Sequence, residues 1–574
     1  MDNQRLMVWA AFGLMAWFTY QAWLMDYGPR AATGNAPAAT EQTVAPPPGD
    51  GELPPLAETP DPQPAPQLDA PDIESAGNGT VAAAGEDTIR VTTDVMTLEI
   101  SRRGGTLQSA RLHDYPVAKD RPDTLVDLLN TDPNRLGLIQ TGLRAASGAA
   151  EANHLATFSA PAAVFALNGD DEIVVPLTWT DGQGLTVVKE YRLRRGSYRV
   201  DIRQTVSNQG DTDWRGASYT QLQRRSFPLE RSMFNVDSYS YDGPVVYDGE
   251  KSQKLKRGDL MDDGPFSVAA SNGWFASIQH HFLSAIVPQG GAEHRYNIAV
   301  NGNVAVSSAI GPTLTVAAGT EQQFETTLFI GPKLQAQLEE VAPTLKLTVD
   351  YGWLTVLSQP LFWLLSKVYG FVGNWGLAII LVTIIIKAVF YKLTEKSGRS
   401  MAKMREIQPR MKTLQDRYKD DRQALGQAMM ELYKREKVNP AAGCLPILIQ
   451  MPFFLAFYWV LLESVEMRQA PFALWITDLS SRDPFFILPL IMGVAMLFQQ
   501  RLNPAPADPV QAKVMQIMPV IFTGFFAFFP SGLVLYWVTN TVLSIAQQWY
   551  INKIVHEEAQ TKKKGGKKDK KQSP

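Results

Sequence analysis

Residues 375–549 alternate between apolar segments of membrane-spanning length and one densely charged stretch, and this pattern limits the possible folds more than any other feature. The stretch VNPAAGCLPILIQMP, at 438–452, is a proline-rich helix start that runs directly into one of these segments. Since a helix needs about 20 apolar residues to cross a bilayer, each segment is about long enough to span, although some are short. The segments are 375–391, 444–462, 484–498, 514–529 and 533–549.

The charged residues are distributed unevenly, although 54 basic and 57 acidic residues give a net charge of only −3. Acidic residues are common before position 350, whereas basic residues are concentrated at 392–437 and 553–571. Because cytoplasmic loops of membrane proteins carry excess lysine and arginine, both basic segments are predicted to be cytoplasmic. The residues before 375 then lie on the opposite face, and five closing helices return the C-terminus to the cytoplasm.

Residues 1–27 contain a sixth apolar segment, which is predicted to be an uncleaved first transmembrane helix with a cytoplasmic N-terminus. A cleaved secretory signal is the alternative, but such a signal is normally shorter and ends in small residues. Instead, aromatic residues typical of a membrane interface mark the far end of this segment. They are Trp17, Tyr20, Trp23 and Tyr27.

The region between the first helix and the other five divides into a linker, a β domain and an amphipathic helix. Residues 28–86 are rich in proline and alanine and are predicted to be disordered, because they bury too little apolar surface. Short alternating runs at 87–340 predict an antiparallel β-sandwich, or two fused sandwiches, with His280 and His281 as a surface or edge feature. Apolar residues at spacings of three and four predict a helix at 343–370 that lies on the membrane.

The predicted fold is therefore a polytopic α-helical membrane protein of six transmembrane helices with a large antiparallel β-sandwich domain on the face opposite the cytoplasm. Its five-helix core occupies 371–552, includes a cytoplasmic hairpin at 392–437, and is followed by a basic tail at 553–574. No nucleotide loop, zinc-ligand pattern or nucleophile elbow is present, so no catalytic residue, metal site or cofactor is predicted. Because Cys444 is the single cysteine, an intramolecular disulfide framework is excluded.

Lys387 is the strongest candidate for a functional residue, because it places a charge inside the apolar segment 375–391. Its position near the end of that segment leaves an alternative, in which the side chain extends to the cytoplasmic interface. Thr383 lies four residues earlier, on the same helix face, which favours a polar stripe that points away from lipid. Gln450 and the pair Tyr536-Trp537 lie inside other apolar segments and are candidates for the wall of a hydrated cavity, with helix–helix hydrogen bonding as the alternative for Gln450.

The segment 392–437 alternates charges with apolar residues and predicts two amphipathic helices joined near Asp420 and Asp421. Methionines on exposed faces suit adaptable binding of apolar partners. A hairpin whose helices pair with each other explains most of the same pattern, and the two interpretations are compatible. The methionines in question are Met401, Met404, Met411, Met429 and Met430.

Four long motifs carry a family resemblance: MAKMREIQPRM, LYKREKVNPAAGCLPILIQMPFFLAFY, ESVEMRQAPFALWITDLSSRDPFFILP and MPVIFTGFFAFFPSGLVLYWVTN. The chain closely resembles the YidC/Oxa/Alb membrane protein insertases along its whole length, in the Gram-negative type with a periplasmic domain. The resemblance implies an insertase and chaperone, not an enzyme, that receives hydrophobic segments in a groove open to the cytoplasm and releases them into the inner membrane. The implied partners are nascent membrane proteins, the ribosome, the Sec translocon (SecYEG and SecDF), the signal recognition particle receptor and membrane lipids.

The resemblance also assigns roles to individual residues. The family's single groove cation, usually arginine, corresponds to Lys387, which keeps the charge but not the planar guanidinium. The polar groove partners correspond to Thr383, Gln450 and Tyr536, and Trp537 stands where many relatives have a second tyrosine. The expected ribosome contacts are the loop residue Asp508 and the tail residues Lys562, Lys563, Lys564, Lys567 and Lys568.

Two other classes of protein remain to be separated from an insertase. A solute transporter would use Lys387 as a coupling charge and is typically built from inverted repeats, which the five core segments do not show. A structural scaffold of the cell envelope would depend on the β domain and would leave the polar stripe unexplained. An insertase is expected to survive deletion of the β domain.

Overall fold

The structure is a computed structural model that describes residues 87–119, 121–145, 150–225, 240–418, 421–436, 438, 445–502 and 509–569. The predicted first helix at 1–27 and linker at 28–86 lie outside the described residues. Within them, the chain forms a β-rich N-terminal region followed by a helical C-terminal region, as predicted.

The β region consists of short strands separated by turns, and its two sheets are antiparallel apart from the pairing of β1 with β6. The strands are β1 (Thr88–Thr92), β2 (Met96–Ser101), β3 (Leu107–Ala118), β4 (Arg121–Leu129), β5 (Gly137–Ala145), β6 (Val164–Ala166), β7 (Glu172–Thr180), β8 (Leu185–Arg194), β9 (Arg199–Asn208), β10 (Trp214–Arg225), β11 (Gly243–Tyr247), β12 (Ser252–Lys254), β13 (Phe266–Ser271), β14 (Trp274–Ile278), β15 (Phe282–Pro288), β16 (Glu293–Asn301), β17 (Val304–Ile310), β18 (Leu314–Val316) and β19 (Thr320–Pro332).

The strands form one 11-stranded and one 8-stranded sheet. The larger sheet has the order β13-β16-β17-β10-β5-β3-β2-β1-β6, with β18 paired to β10 and β4 paired to β3. The smaller sheet has the order β12-β11-β14-β15-β19-β9-β8-β7. The described strands thus form two sheets, and buried residues of both sheets contribute to one hydrophobic core, as in a single large sandwich.

Lys189 crosses the core between the two sheets. It lies on β8, is fully buried, and donates hydrogen bonds of 2.7 Å to the carbonyl oxygens of Gly104 and Thr141. Its ammonium also lies 4.7 Å from the centre of the Phe158 ring. Burial lowers the pKa of Lys189 to about 7, because the charged form is poorly solvated there. This side chain therefore links the sheets through backbone acceptors and not through an ion pair.

The described helices are α1 (Arg257–Asp262), α2 (Gln335–Val341), α3 (Thr355–Val372), α4 (Trp375–Val389), α5 (Tyr391–Arg417), α6 (Arg422–Arg435), α7 (Leu445–Glu463), α8 (Ile487–Leu502), α9 (Pro509–Phe526) and α10 (Ser531–Asp569). The α10 helix continues far into the predicted tail, since its sequence after Gln547 is rich in good helix formers. The side chains of its last part lie outside the description.

Among the described residues, no single helix is both long and apolar enough to cross a membrane. The pair α4 and α5 meets that standard only when the two helices are taken together, and they are bent by 70° at their junction. Shorter apolar helices are present at Gln450–Glu463, Ile487–Leu502 and Lys513–Phe526.

The predicted helix at 343–370 begins later than expected. Residues 343–354 contain two short 3₁₀ turns, Leu345–Thr348 and Gly352–Leu354, and the regular helix α3 begins at Thr355. Gly352 has φ of 61°, a left-handed conformation that interrupts a continuous helix. One face of α3 packs on α7, where the Ser358 hydroxyl donates to the Ala456 carbonyl at 3.2 Å, while Trp363 on another face is exposed.

The histidine pair was predicted to be a surface or edge feature of the sandwich, and the surface position is wrong for His281, which is buried. The neighbouring His280 contacts the helical region, with its Nε2 3.1 Å from the carbonyl oxygen of Leu462 at the end of α7. The two rings stack on each other at 3.8 Å. The sequence could not reveal this placement, because the contact joins residues that are distant along the chain.

Candidate functional site

Helix α4 carries Lys387 near its C-terminal end. The helix begins at an N-cap, Asn374, whose side chain accepts a hydrogen bond from the Leu377 amide at 3.0 Å. Its apolar residues are partly exposed, as Leu381 and Ile384 show. Lys387 is half-buried and lies just before the break between α4 and α5. The structure therefore places this cation at the point where the chain turns from an apolar helix into a charged one.

The ammonium of Lys387 contacts the last helix of the protein. Its Nζ donates a 2.7 Å hydrogen bond to the Ser544 hydroxyl on α10, and that hydroxyl donates a 2.7 Å bond to the Asn540 carbonyl. The cation is thus directed toward a neighbouring helix, and the residue that accepts its hydrogen bond is none of the predicted groove partners Thr383, Gln450 and Tyr536. The sequence reasoning missed Ser544, although Asn540, Ser544 and Gln547 recur at spacings of four and three on one face of the predicted apolar segment 533–549.

Thr383 lies one turn before Lys387 and is almost fully buried. Its hydroxyl donates to the Ile379 carbonyl of its own helix at 2.7 Å, a local bond that satisfies it without a second helix. The two side chains share a helix face, but the hydroxyl of Thr383 is directed to the backbone. The structure therefore brings Thr383 near the cation without a direct bond between them.

Tyr536 and Trp537 lie in an aromatic cluster and not beside Lys387. The ring of the buried Tyr536 stacks on Phe457 at 4.6 Å, and Trp537 packs edge-on against Phe454 at 4.6 Å. Trp537 also contacts Phe526 of α9 at 4.9 Å. This cluster forms an apolar wall between α7, α9 and α10. Gln450 is half-buried on α7, the helix that contributes Phe454 and Phe457 to this wall.

A polar seam continues from Lys387 along the surface between α5 and α10. Gln547 donates to the Thr394 hydroxyl at 2.7 Å, and Gln548 donates to the Gly398 carbonyl at 3.3 Å. A Cβ atom at Gly398 would lie 2.8 Å from the end of the Ile551 side chain, so the glycine lets the two helices approach this closely without a shift of that side chain. The first part of α5 is thereby fixed against α10.

The second part of α5 pairs with α6, and the two helices share a small core of their own. Met411 and Met429 are buried in it and Met404 is partly buried, so Met411 and Met429 are not on an exposed face as predicted. The self-paired hairpin describes them better, because burial of the apolar side chains of both helices against each other is more favourable than their exposure to water. Met430 remains exposed, and Met401 is half-buried.

The predicted ribosome contacts are not described at the level of side chains. Asp508 lies outside the described residues. Lys562, Lys563, Lys564, Lys567 and Lys568 lie on the last part of α10, whose backbone alone is described.

Comparison with known proteins agrees with this architecture. Residues 88–364 match the family model described as the YidC periplasmic domain, and residues 367–559 match that of the 60Kd inner membrane protein. The fold and these matches define an inner membrane protein with a periplasmic β-rich domain and a helical C-terminal region.

Two curated relatives extend the match over the whole chain. The membrane protein insertase YidC of Methylococcus capsulatus is 47% identical over 561 residues, which cover 97% of this chain and 99% of the relative. The membrane protein insertase YidC of Alkalilimnicola ehrlichii is 47% identical over 577 residues, covering 100% and 99% of the two chains. The chain therefore belongs to the YidC family of membrane protein insertases. Insertion is not an enzymatic function, which agrees with the prediction that the chain is not an enzyme.

A solved structure is also similar, the crystal structure of an active YidC insertase with its first transmembrane domain resolved. It is 21% identical, with a TM-score of 0.38, and the match covers 82% of this chain and 93% of that one.

Proposed function

We propose that this protein receives hydrophobic segments of newly made proteins from the cytoplasm and releases them sideways into the inner membrane. The observation that carries the proposal is the half-buried Lys387, whose ammonium is held by Ser544 between apolar helices. A charge in such surroundings costs free energy, so its presence indicates a function, which here is to hydrate a groove and attract acidic client residues. The membership of this chain in the YidC family supports the same activity.

A hydrated half-cavity lowers the barrier for the polar end of a client. Each unsatisfied polar group in hydrocarbon costs several kcal/mol, so shortening the apolar path saves that free energy for every polar residue moved. The aromatic wall at Tyr536 and Trp537 then offers an apolar surface along which the client helix slides into lipid. Because partitioning of an apolar helix into lipid is downhill, no nucleotide hydrolysis is required.

The proposed topology has six transmembrane helices, with both termini in the cytoplasm and the β domain in the periplasm. The basic residues of 392–437 and 553–571 support this orientation by the positive-inside rule. In this arrangement α3 lies along the periplasmic surface of the membrane. The exposed side chains of Trp363 and Phe371 support its contact with lipid.

The proposed partners follow from the two basic segments and from the family. The tail lysines and the loop containing Asp508 would meet the ribosome, and the hairpin helices α5 and α6 would meet anionic lipid headgroups. The protein would act alone or beside the Sec translocon, formed by SecYEG and SecDF, and would receive some clients through the signal recognition particle receptor. We extend the role to that of a chaperone for the folding and assembly of membrane proteins.

Complementation in a strain depleted of its own insertase tests the proposal. Lys387→Arg keeps the charge and is expected to support growth, whereas Lys387→Glu is expected to impair insertion of clients with acidic tails. Lys367→Glu, the same charge reversal at an exposed lysine of α3, is the matched control and should support growth. Normal insertion of acidic-tailed clients by the Lys387→Glu variant would show that attraction by the cation is not the mechanism.

Deletion of the β domain separates an insertase from an envelope scaffold. An insertase keeps its activity when residues 87–340 are removed and the first helix is joined to α3, because the groove belongs to the helical region. A scaffold loses all function in the same experiment. Each variant needs a check that the protein is present in the membrane at the wild-type level.

A further inference from the structure

We propose that Ser544 is a positioning residue, which holds the Lys387 ammonium in the groove until a client arrives. This inference rests on the proposed function, in which Lys387 is the cation that meets the client. The contact joins residues far apart in sequence, with Nζ of Lys387 2.7 Å from Oγ of Ser544. Ser544 lies on α10, so this contact joins the cation on α4 to a second helix of the site.

The hydroxyl of Ser544 is oriented as an acceptor. It donates its only proton to the Asn540 carbonyl at 2.7 Å, so the lone pairs of Oγ face away from that carbonyl. An ammonium has only donors, and an acceptor already fixed in this way matches it without reorganisation. The α10 backbone therefore sets the direction from which the cation is held.

Lys387 needs such an acceptor because its side chain can adopt a second orientation. The residue lies just before the end of α4, and a flexible lysine at this depth can extend toward the cytoplasmic interface. The Ser544 contact draws the ammonium toward α10 and into the groove instead. Without it, the cation spends more time at the interface, where acidic client residues gain less from meeting it.

A hydroxyl also holds the cation reversibly. Because Ser544 is uncharged, a client carboxylate, which forms the stronger charge-assisted bond, displaces it from the ammonium. An acidic residue at the same position would keep Lys387 in a permanent ion pair. The choice of a serine thus fits a cation that must be held when the groove is empty and released when it is occupied.

Four variants of the full-length protein in proteoliposomes test the inference: Ser544→Ala, Ser544→Thr, Ser544→Asp and Thr539→Ala. Thr539 is the matched control, since its hydroxyl donates only to the Leu535 carbonyl of its own helix, at 2.8 Å. The assay measures the insertion rate against client concentration for two clients, one with an acidic leading tail and one in which amides replace those acids.

Ser544→Ala is expected to raise the half-saturating concentration of the acidic-tailed client about tenfold, as loss of one hydrogen bond to a charged group predicts. The maximal rate and the amide client should be unaffected. Ser544→Thr restores the hydroxyl and should restore the wild-type value, and Thr539→Ala should match the wild type. Equal half-saturating concentrations for the wild type and Ser544→Ala would overturn the inference.

Chemical labelling of Lys387 by reductive methylation, followed by mass spectrometry, gives a readout that does not depend on activity. Labelling should be faster in Ser544→Ala and slower in Ser544→Asp than in the wild type. A purely structural role of Ser544 would not change the labelling rate in opposite directions in these two variants. A change in the same direction for Ser544→Ala and Ser544→Asp would therefore contradict the inference.

The Lys387→Met variant separates the inference from the proposed function. If Lys387→Met inserts acidic-tailed clients normally, the role proposed for the cation fails. If Lys387→Met is impaired but Ser544→Ala is not, only the positioning role fails. If the cation and Ser544 both have their proposed roles, Ser544→Ala should cause no further loss of insertion in the Lys387→Met background, because the two residues act through one contact.

Discussion

Arg468, in the loop after α7, donates a 2.7 Å hydrogen bond to the carbonyl oxygen of Pro116, near the tip of the hairpin formed by β3 and β4. The same guanidinium donates to the Val117 carbonyl at 3.2 Å and lies 5.4 Å from the ring centre of Phe282. Gln469 donates to the Pro116 carbonyl at 3.1 Å. These contacts attach the β domain to the helical region at a defined place.

Arg468→Ala is expected to loosen this attachment. Loss of hydrogen bonds from a charged donor lowers the opening free energy of the hairpin by about 2 kcal/mol. Hydrogen–deuterium exchange of amides at 107–129 measures the change. Arg482→Ala, at an exposed arginine of the same loop, is the control and should leave that exchange unaltered. Equal protection in Arg468→Ala and the wild type would mean that other contacts suffice.

Lys189 is expected to make the stability of the sandwich depend on pH. Its pKa is about 7 in the folded domain and about 10.4 in an unfolded chain, so between these values the unfolded chain binds more protons. The free energy of unfolding therefore rises with pH across this window, by at most about 1.4 kcal/mol per pH unit, and the contribution is lost as pH falls to 7.

Exchange of amides in β8 between pH 7 and 9, corrected for the intrinsic exchange rate, measures this effect. The wild type should gain protection relative to Lys189→Met, a variant of similar length that does not titrate. Other groups cancel in the difference between the two proteins. Parallel curves for the wild type and the variant would show that Lys189 keeps its proton throughout.

The basic tail is expected to bind the ribosome in a salt-sensitive way, because a cluster of lysines releases counterions from an anionic surface. Replacing every lysine of 562–571 by glutamine should weaken co-sedimentation with ribosomes at low salt and flatten its dependence on salt. The glutamine variant keeps the length of the chain, so it controls for truncation. Undiminished binding would remove the tail from the contact and leave the hairpin and the predicted loop at Asp508-Pro509.

The distal hairpin, formed by the second part of α5 and by α6, is expected to act as a mobile lid over the groove. A disulfide that joins it to the connection between α8 and α9, within residues 501–513, in a Cys444→Ser background, should block client entry and leave the fold intact. A disulfide between Ala402→Cys and Val555→Cys is the control, since these residues already share a buried cluster and that part of α5 is fixed. Insertion at the reduced protein's rate by the oxidised lid variant would contradict the lid.

Local patterns in the sequence predicted most of the elements, because alternation and helical spacing act within a few residues. The start of α4 at Trp375 was placed correctly, whereas the start of α3 was placed too early, since Gly352 adopts a left-handed conformation that the apolar spacing does not reveal. Contacts between distant segments could not be predicted. The bonds from Lys387 to Ser544 and from Arg468 to Pro116 depend on how whole helices and sheets pack.

Crosslinking of ribosome-bound nascent chains tests the central claim, the passage of clients through the groove, most directly. Photoreactive residues at 450, which is half-buried, and at the deeper positions 383 and 536 would report the path. A probe at the exposed Leu474, in the loop between α7 and α8, is the control on the opposite side. We predict crosslinks from a client's first apolar segment at 450, 383 and 536, before any at 474. Crosslinks at 474 alone, with none at the groove positions in an actively inserting protein, would contradict the account.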